Sequence, residues 1–316
     1  MDTPATMDVA SEAGTRNNVR VAAVAWLLVS VYYFYQYALR SAPSVMVPQL
    51  SEAFGLSAIA VASLAGLFYY GYSPFSLVAG AGMDRFGPRK LIPFAAITVG
   101  VGALLFATGN STMAGIGRFL QGAGGVFALV GAIYIATKNF PANQAATLIG
   151  ATQMFGMAGG SAGQFAVGPL IIGGLSIYAF WTGMGVIALV IGVILFFLLP
   201  SQPTQQSAPG ESWVKTSIAG FKKVFGNKQS IYCGLISGLL FIPTTIFDMI
   251  WGVRFLQDAH ALPYAESVLR SATVPFGWII GCPLLGYISD RIGQRRPVII
   301  GGAVVLGICL AWILFG

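Results

Sequence analysis

Runs of apolar residues about 20 long, the length a helix needs to cross the hydrocarbon core of a bilayer, recur nine times along this chain. They fall near residues 21–47, 57–82, 91–109, 112–137, 144–173, 177–199, 229–256, 264–288 and 297–316, and each reads as a transmembrane helix. The first stays apolar past Arg40 as far as Val47, with Pro43 and Pro48 placed to bend or end it. Residues 200–228 break the pattern. Their first part, rich in Pro, Ser and Gln, reads as a linker. Their second part puts Trp213, Ile218, Phe221 and Phe225 on one side of a helix and leaves Lys215, Lys222 and Lys223 to face water or lipid phosphate. Two readings stand: an amphipathic helix lying on the membrane surface, or a disordered basic linker. Either divides the chain into a polar cytoplasmic tail (1–20), a six-helix N-terminal bundle (21–199), a cytoplasmic linker (200–228) and a partial C-terminal bundle of three helices (229–316). The expected fold class is an all-α integral membrane protein.

Composition agrees with that picture. The chain is 56% hydrophobic and 9% charged, against about 25% charged in an ordinary soluble domain. Its 41 glycines suit helices whose backbones approach closely in lipid. Cys233, Cys282 and Cys309 lie inside apolar runs without metal-ligand spacing and read as small buried hydrophobes. The net charge of +7 is a matter of topology. With the N-terminus in the cytoplasm, 13 of the 17 basic residues fall in cytoplasmic segments, and only Arg40, Arg118, Arg254 and Arg270 do not. That distribution removes the case for nucleic-acid binding. The first 20 residues carry Asp2, Asp8 and Glu12 and lack a cleavage site, so the first apolar run stays as a helix. The absence of a targeting segment points to a bacterial inner membrane. No cofactor is expected, and no nucleophile triad or nucleotide-binding loop suggests an enzyme.

One signature occurs twice. Gly80-Ala-Gly-Met-Asp84-Arg85-Phe-Gly87-Pro-Arg89-Lys90 follows the second helix, and Gly286-Tyr-Ile-Ser-Asp290-Arg291-Ile-Gly293-Gln-Arg295-Arg296 follows the eighth. The offset is 206 residues, and it also aligns Leu50–Leu56 with Leu256–Leu262 without a gap. The chemistry of the motif is legible. A small residue at the helix end permits close packing, and Asp accepts hydrogen bonds from a facing helix N-terminus. The glycine permits a tight turn, and the basic cluster stays at the phosphates. A repeat of this size is typical of transporter folds.

These loops resemble the motif of the major facilitator superfamily between its second and third helices, and its echo between the eighth and ninth. Arg118-Phe-Leu-Gln121-Gly122-Ala-Gly124 is similar to the family's fourth-helix pattern in proton-coupled members. Gly168-Pro169 with Gly173-Gly174 resembles, with one residue too many, the fifth-helix motif of antiporters. The resemblance spans residues 21–316 and implies a facilitator-type helical bundle working by alternating access. The family norm is twelve helices, so nine imply a chain that looks C-terminally truncated, with its C-terminus outside: a truncated gene model, a genuinely short protein, or a dimer that completes itself. The family partner of Asp84, the eleventh helix, is then missing.

Few ionisable groups lie within the spans, and each is a candidate site by default. Tyr33, Gln36, Tyr37 and Arg40 share one helical face. That stripe suits a water-filled cavity, or else an interfacial tyrosine belt with a snorkelling arginine. Tyr37-Ala-Leu-Arg40-Ser-Ala-Pro43 resembles the first helix of facilitators that carry organic anions, which implies that Arg40 meets the substrate. A guanidinium suits a carboxylate or phosphate. Asp248 is the acidic residue well inside a span, and the 206-residue offset sets it opposite position 42, near the depth of Arg40. It is a proton-coupling candidate, with Thr244 and Thr245 a turn away, or else a structural ion-pair partner of Arg254 or Arg270. Arg118 either tunes that proton site or pairs with helix ends. Gln121, Gln153 and Gln164 either line the cavity or link helices. His260 falls in an outer loop.

The expected function is secondary transport of a small organic anion in the lipid bilayer, with a proton as coupling partner. Trp251-Gly-Val-Arg-Phe255-Leu resembles a branch that includes lysosomal dipeptide carriers, which keeps a dipeptide open as cargo. A membrane protein that does not transport is the reading from another class.

Overall fold

The computed structural model describes residues 4–201, 213–245, 252–271 and 273–315, and among these no strand occurs. α1 (Pro4–Ser41) carries its helix from the polar segment into the first apolar run. It ends where the prolines predict, in a 3-10 turn at Ala42–Val45 followed by α2 (Val47–Phe54). α3 (Ala58–Phe86), α4 (Pro88–Phe106), α5 (Ser111–Asn139), α6 (Ala145–Phe165), α7 (Val167–Ile172) and α8 (Ile177–Leu198) complete the first half. α9 (Trp213–Phe225), α10 (Lys228–Ile242), α11 (Gly252–His260), α12 (Tyr264–Ser271), α13 (Thr273–Ile292) and α14 (Arg296–Phe315) follow.

Among the described residues, six segments are long and apolar enough to cross a membrane: Val19–Val45, Pro88–Phe106, Ser111–Asn139, Ile177–Leu198, Tyr264–Ile292 and Arg296–Ile313. The pair α2–α3, bent by 101° at the break between its helices, counts as a seventh if it is taken as one span. Three expected spans are cut differently. Residues 144–173 divide into α6 and α7, and glycines with Gln153 and Gln164 lower the hydropathy of α6. That helix tolerates them because it packs between α1 and α13 and shows protein much of its surface. The span at 229–256 becomes α10, which reaches Ile242 just before Pro243, and α11 after the undescribed 246–251. α12 and α13 share the span at 264–288.

Small residues set the packing. α5 lies against α3 on one side and α4 on another. A side chain at Gly122 would collide with the Phe68 carbonyl of α3, and one at Gly117 with the Gly102 carbonyl of α4. Helices this close gain dispersion contacts along their length, which is the main attraction available in lipid. Large side chains fill the remaining space: Phe106 meets the Trp181 ring at 4.2 Å and the Phe54 ring at 5.5 Å.

α6 and α13 join the two halves. A Cβ at Gly286 would come within 2.7 Å of the Ala146 carbonyl, and Gly150 faces the Cys282 carbonyl as closely. Phe165 and Phe276 meet at 5.8 Å; within the second half, the Trp278 indole donates to Thr244 Oγ1 at 2.9 Å. At the end of the first span, the Tyr264 hydroxyl donates to the Val45 carbonyl at 3.5 Å.

Candidate functional site

The site is built where α1, α3 and α5 converge. Helical spacing puts Tyr33, Gln36, Tyr37 and Arg40 on the inward face of α1, and the first three are buried. The Tyr33 hydroxyl donates to Gln153 Oε1 on α6 at 2.8 Å, and its ring meets Tyr37 edge-on at 4.9 Å. Gln36 points at Gly125 of α5, where a Cβ would stand 2.6 Å from its Nε2. Both polar atoms of the Gln36 amide lack a hydrogen-bond partner among the described residues.

Arg40 is half-buried, with four rings around its guanidinium carbon: Tyr37 at 4.9 Å, Tyr69 at 5.0 Å, Phe68 at 5.4 Å and Tyr72 at 5.8 Å. One Nη donates to the Tyr69 hydroxyl at 3.1 Å, while Nε has no partner among the described residues. The ring faces offset part of the cost of a cation in a low dielectric. A hydroxyl and π faces still leave a full positive charge, and no described carboxylate pairs with it. Three of the four rings come from α3, whose Phe68-Tyr69-Tyr70-Gly71-Tyr72 run puts an excess of phenols in an apolar span, and Tyr37 of α1 supplies the fourth.

Arg118 on α5 sits beside it, fully buried. It donates to Gln121 Oε1 at 2.7 Å and reaches the Ala65 and Arg40 carbonyls at 3.4 and 3.5 Å. Its guanidinium carbon also stands 5.3 Å from the Phe68 ring. Arg118 thus ties α5 to α1 and α3, and two guanidinium groups share one aromatic wall. Asp248 lies outside the described residues. Its two alternative partners are engaged locally on exposed helix faces, Arg254 with Asp258 at 2.8 Å and Arg270 with Glu266 at 2.6 Å. His260 ends α11, exposed, beside the Phe255 ring at 5.6 Å.

The two loop motifs take up the expected turn. Gly87 has φ 76° and Gly293 has φ 69°, the left-handed region where a side chain is strained. In the second copy, Asp290 Oδ2 accepts from the Thr147 amide at 2.9 Å and from its hydroxyl at 2.8 Å, at the N-terminus of α6. Arg295 approaches Oδ1 at 3.8 Å. In the first copy, a Cβ at Gly80 would meet nothing within 4 Å, and Asp84 interacts with the Tyr134 hydroxyl of α5. Arg85, Arg89, Lys90, Arg291, Arg295 and Arg296 are exposed, and Arg89 donates to Ser201 Oγ at 2.6 Å. Sequence reasoning did not identify Thr147 as the partner of Asp290; a threonine three residues into a helix carries no signal of what faces it.

Comparison with known proteins places this arrangement. The profile of the Major Facilitator Superfamily matches residues 29–316. A hexuronate transporter of Bacillus subtilis is 26% identical over 289 residues, which is 86% of this chain and 66% of that protein. A probable nitrate/nitrite antiporter, NarK1, of Thermus thermophilus is 24% identical over 261 residues, 78% of this chain and 56% of that protein. The crystal structure of a bacterial homologue of the human lysosomal transporter Spinster, inward-facing and unoccupied, superposes with a TM-score of 0.61 at 18% identity. That superposition covers 86% of this chain and 63% of that one. The chain therefore spans under two thirds of the length of each.

Proposed function

Since the chain belongs to the major facilitator superfamily, we propose that it is a secondary transporter that moves a small organic anion across a bacterial cytoplasmic membrane by alternating access. Arg40 is the anchor. It holds a permanent charge at the meeting of three helices, with an unpartnered Nε and no described counter-charge. A guanidinium in that state gains more from a carboxylate than from the Tyr69 hydroxyl, because charge-assisted bidentate pairing is the stronger bond. The cargoes named for the two relatives, hexuronate and nitrate or nitrite, are both anions.

Tyr33, Gln36 and Tyr37 complete the substrate wall in this reading. Asp248 carries the coupling proton, and Arg118 beside the site tunes it. The two halves are the six-helix bundle and the three helices after the linker, with the N-terminus and both basic loops in the cytoplasm as the positive-inside rule requires.

The test is uptake of labelled D-glucuronate into proteoliposomes holding the full chain, with and without an inward proton gradient. The expected result is gradient-driven uptake, abolished in Arg40→Ala and uncoupled from pH in Asp248→Asn. Uptake unchanged in both variants sinks the site assignment. A dipeptide competing with glucuronate would move the cargo to the dipeptide class. Absence of any flux with every anion supplied would favour a membrane protein that does not transport.

A further inference from the structure

Neither the helical bundle nor the anion site uses α9. From Trp213 to Lys228 the chain carries Lys215, Lys222, Lys223 and Lys228 and no carboxylate. At 100° per residue, Trp213, Val214, Ile218, Phe221, Val224 and Phe225 fall within an arc of about 140°, with the lysines of the helix outside it. The protein leaves the described part of that apolar face uncovered: Ile218, Val224 and Phe225 are 48%, 53% and 59% exposed. Phe221 and Phe225 pack only loosely on each other, with ring centroids 6.5 Å apart. Lys222 and Lys223 are exposed on the other face.

The place of α9 in the fold restricts what can cover it. A two-residue turn, Gly226–Asn227, joins it to α10, whose N-terminus is capped by Asn227 Oδ1 accepting from the Gln229 amide at 2.9 Å. Its last turn therefore sits at the level where α10 begins. At the other end of the connection, Ser201 is held by Arg89, so the linker departs beside the Arg85, Arg89 and Lys90 cluster.

We infer that α9 is a binding element for anionic phospholipid, lying in the headgroup layer with its phenylalanines at the acyl boundary and its lysines on the phosphates. An apolar arc and an acid-free cationic arc need two environments at once, and a membrane surface supplies both within the width of one helix. A soluble polyanion would satisfy the lysines and leave Ile218, Val224 and Phe225 in water. Each lysine near an anionic surface contributes about a fivefold gain in partitioning, so the pair Lys222 and Lys223 accounts for roughly 25-fold.

The experiment needs no transport substrate. A spin label at Val224→Cys is placed in the full chain carrying Cys233→Ser, Cys282→Ala and Cys309→Ser. Its depth is read from oxygen against nickel-chelate accessibility in nanodiscs of phosphatidylcholine alone or with 30% phosphatidylglycerol. Thermal melting checks that each variant is folded. The expected result is a label immersed in the anionic discs, released by roughly 25-fold in the immersed-to-aqueous ratio when Lys222→Gln and Lys223→Gln are combined. Raised salt should give a similar release, and a label at Ala219→Cys should stay aqueous throughout. A Val224 label that stays aqueous in both lipids overturns the inference. Immersion that ignores both phosphatidylglycerol and the lysine changes also overturns it, leaving an apolar anchor without headgroup recognition.

Discussion

Asp290→Ala removes the hydrogen bonds that fasten the second loop motif to the first half of the protein. Its Oδ2 accepts two, from the Thr147 amide at 2.9 Å and the Thr147 hydroxyl at 2.8 Å, and the side chain is only 9% exposed. A hydrogen bond to a charged acceptor contributes about 1.5–3 kcal/mol. A carboxylate at a helix N-terminus adds about 0.3–1 kcal/mol from the dipole. The two bonds share one oxygen and are not independent, so roughly 3 kcal/mol is expected for the whole contact. Arg295, at 3.8 Å and 61% exposed, adds little. On the scale of a domain this size, roughly 3 kcal/mol lowers the melting temperature by about 6–12 °C. Asp290→Asn keeps an acceptor and loses the charge, and should show about half the effect. Thr147→Val removes the hydroxyl bond alone. Combined with Asp290→Ala it should add almost nothing, a coupling of about 1–2 kcal/mol. The assay is detergent melting followed by intrinsic tryptophan fluorescence. Asp290→Ala melting within a degree of the parent, or strict additivity with Thr147→Val, would refute the contact and with it the reading of the motif as an N-terminal cap.

The two copies of the motif should respond unequally to one methyl group. Gly286→Ala forces a Cβ within 2.7 Å of the Ala146 carbonyl, a backbone atom that cannot turn away, and overpacking of this kind costs about 1–3 kcal/mol. Gly80→Ala meets open space and should melt with the parent; equal losses at both positions would contradict the packing of α6 on α13. Tyr69→Phe removes the hydroxyl that occupies Arg40 at 3.1 Å. Freed of a competitor worth about 1 kcal/mol, the site should bind glucuronate roughly fivefold more tightly by calorimetry. Weaker binding would make Tyr69 a substrate ligand instead.

The fold class was legible because lipid imposes it. A chain with this little charge has to satisfy its backbone internally, and in a bilayer that leaves helices or a closed barrel, between which apolar runs about 20 residues long select helices. Apolar runs, proline positions and the asymmetry of Lys and Arg each carry that constraint locally. So do the motif glycines: Gly87 and Gly293 announce a tight turn, and the backbone takes positive φ at both. The candidate site was legible on one helix only. Periodicity grouped Tyr33, Gln36, Tyr37 and Arg40 because spacing along one helix fixes which residues share a face. It says nothing of what stands opposite.

Packing alone decided the rest. Tyr69 and Tyr72 reach Arg40 because Gly71 and Gly122 let α3 and α5 touch, and Arg118 enters the same wall because α5 is pressed against both neighbours. The span at 144–173 broke into α6 and α7, and the glycines and glutamines of α6 are accommodated because it packs between α1 and α13. Two copies of one loop signature predicted one turn, and the sequence could not say that, among the described residues, Asp290 would meet a helix N-terminus while Asp84 meets the Tyr134 hydroxyl. Local rules travel with the residues, whereas a contact between helices depends on the shapes of both surfaces, and a single chain read in order contains those only once it is folded.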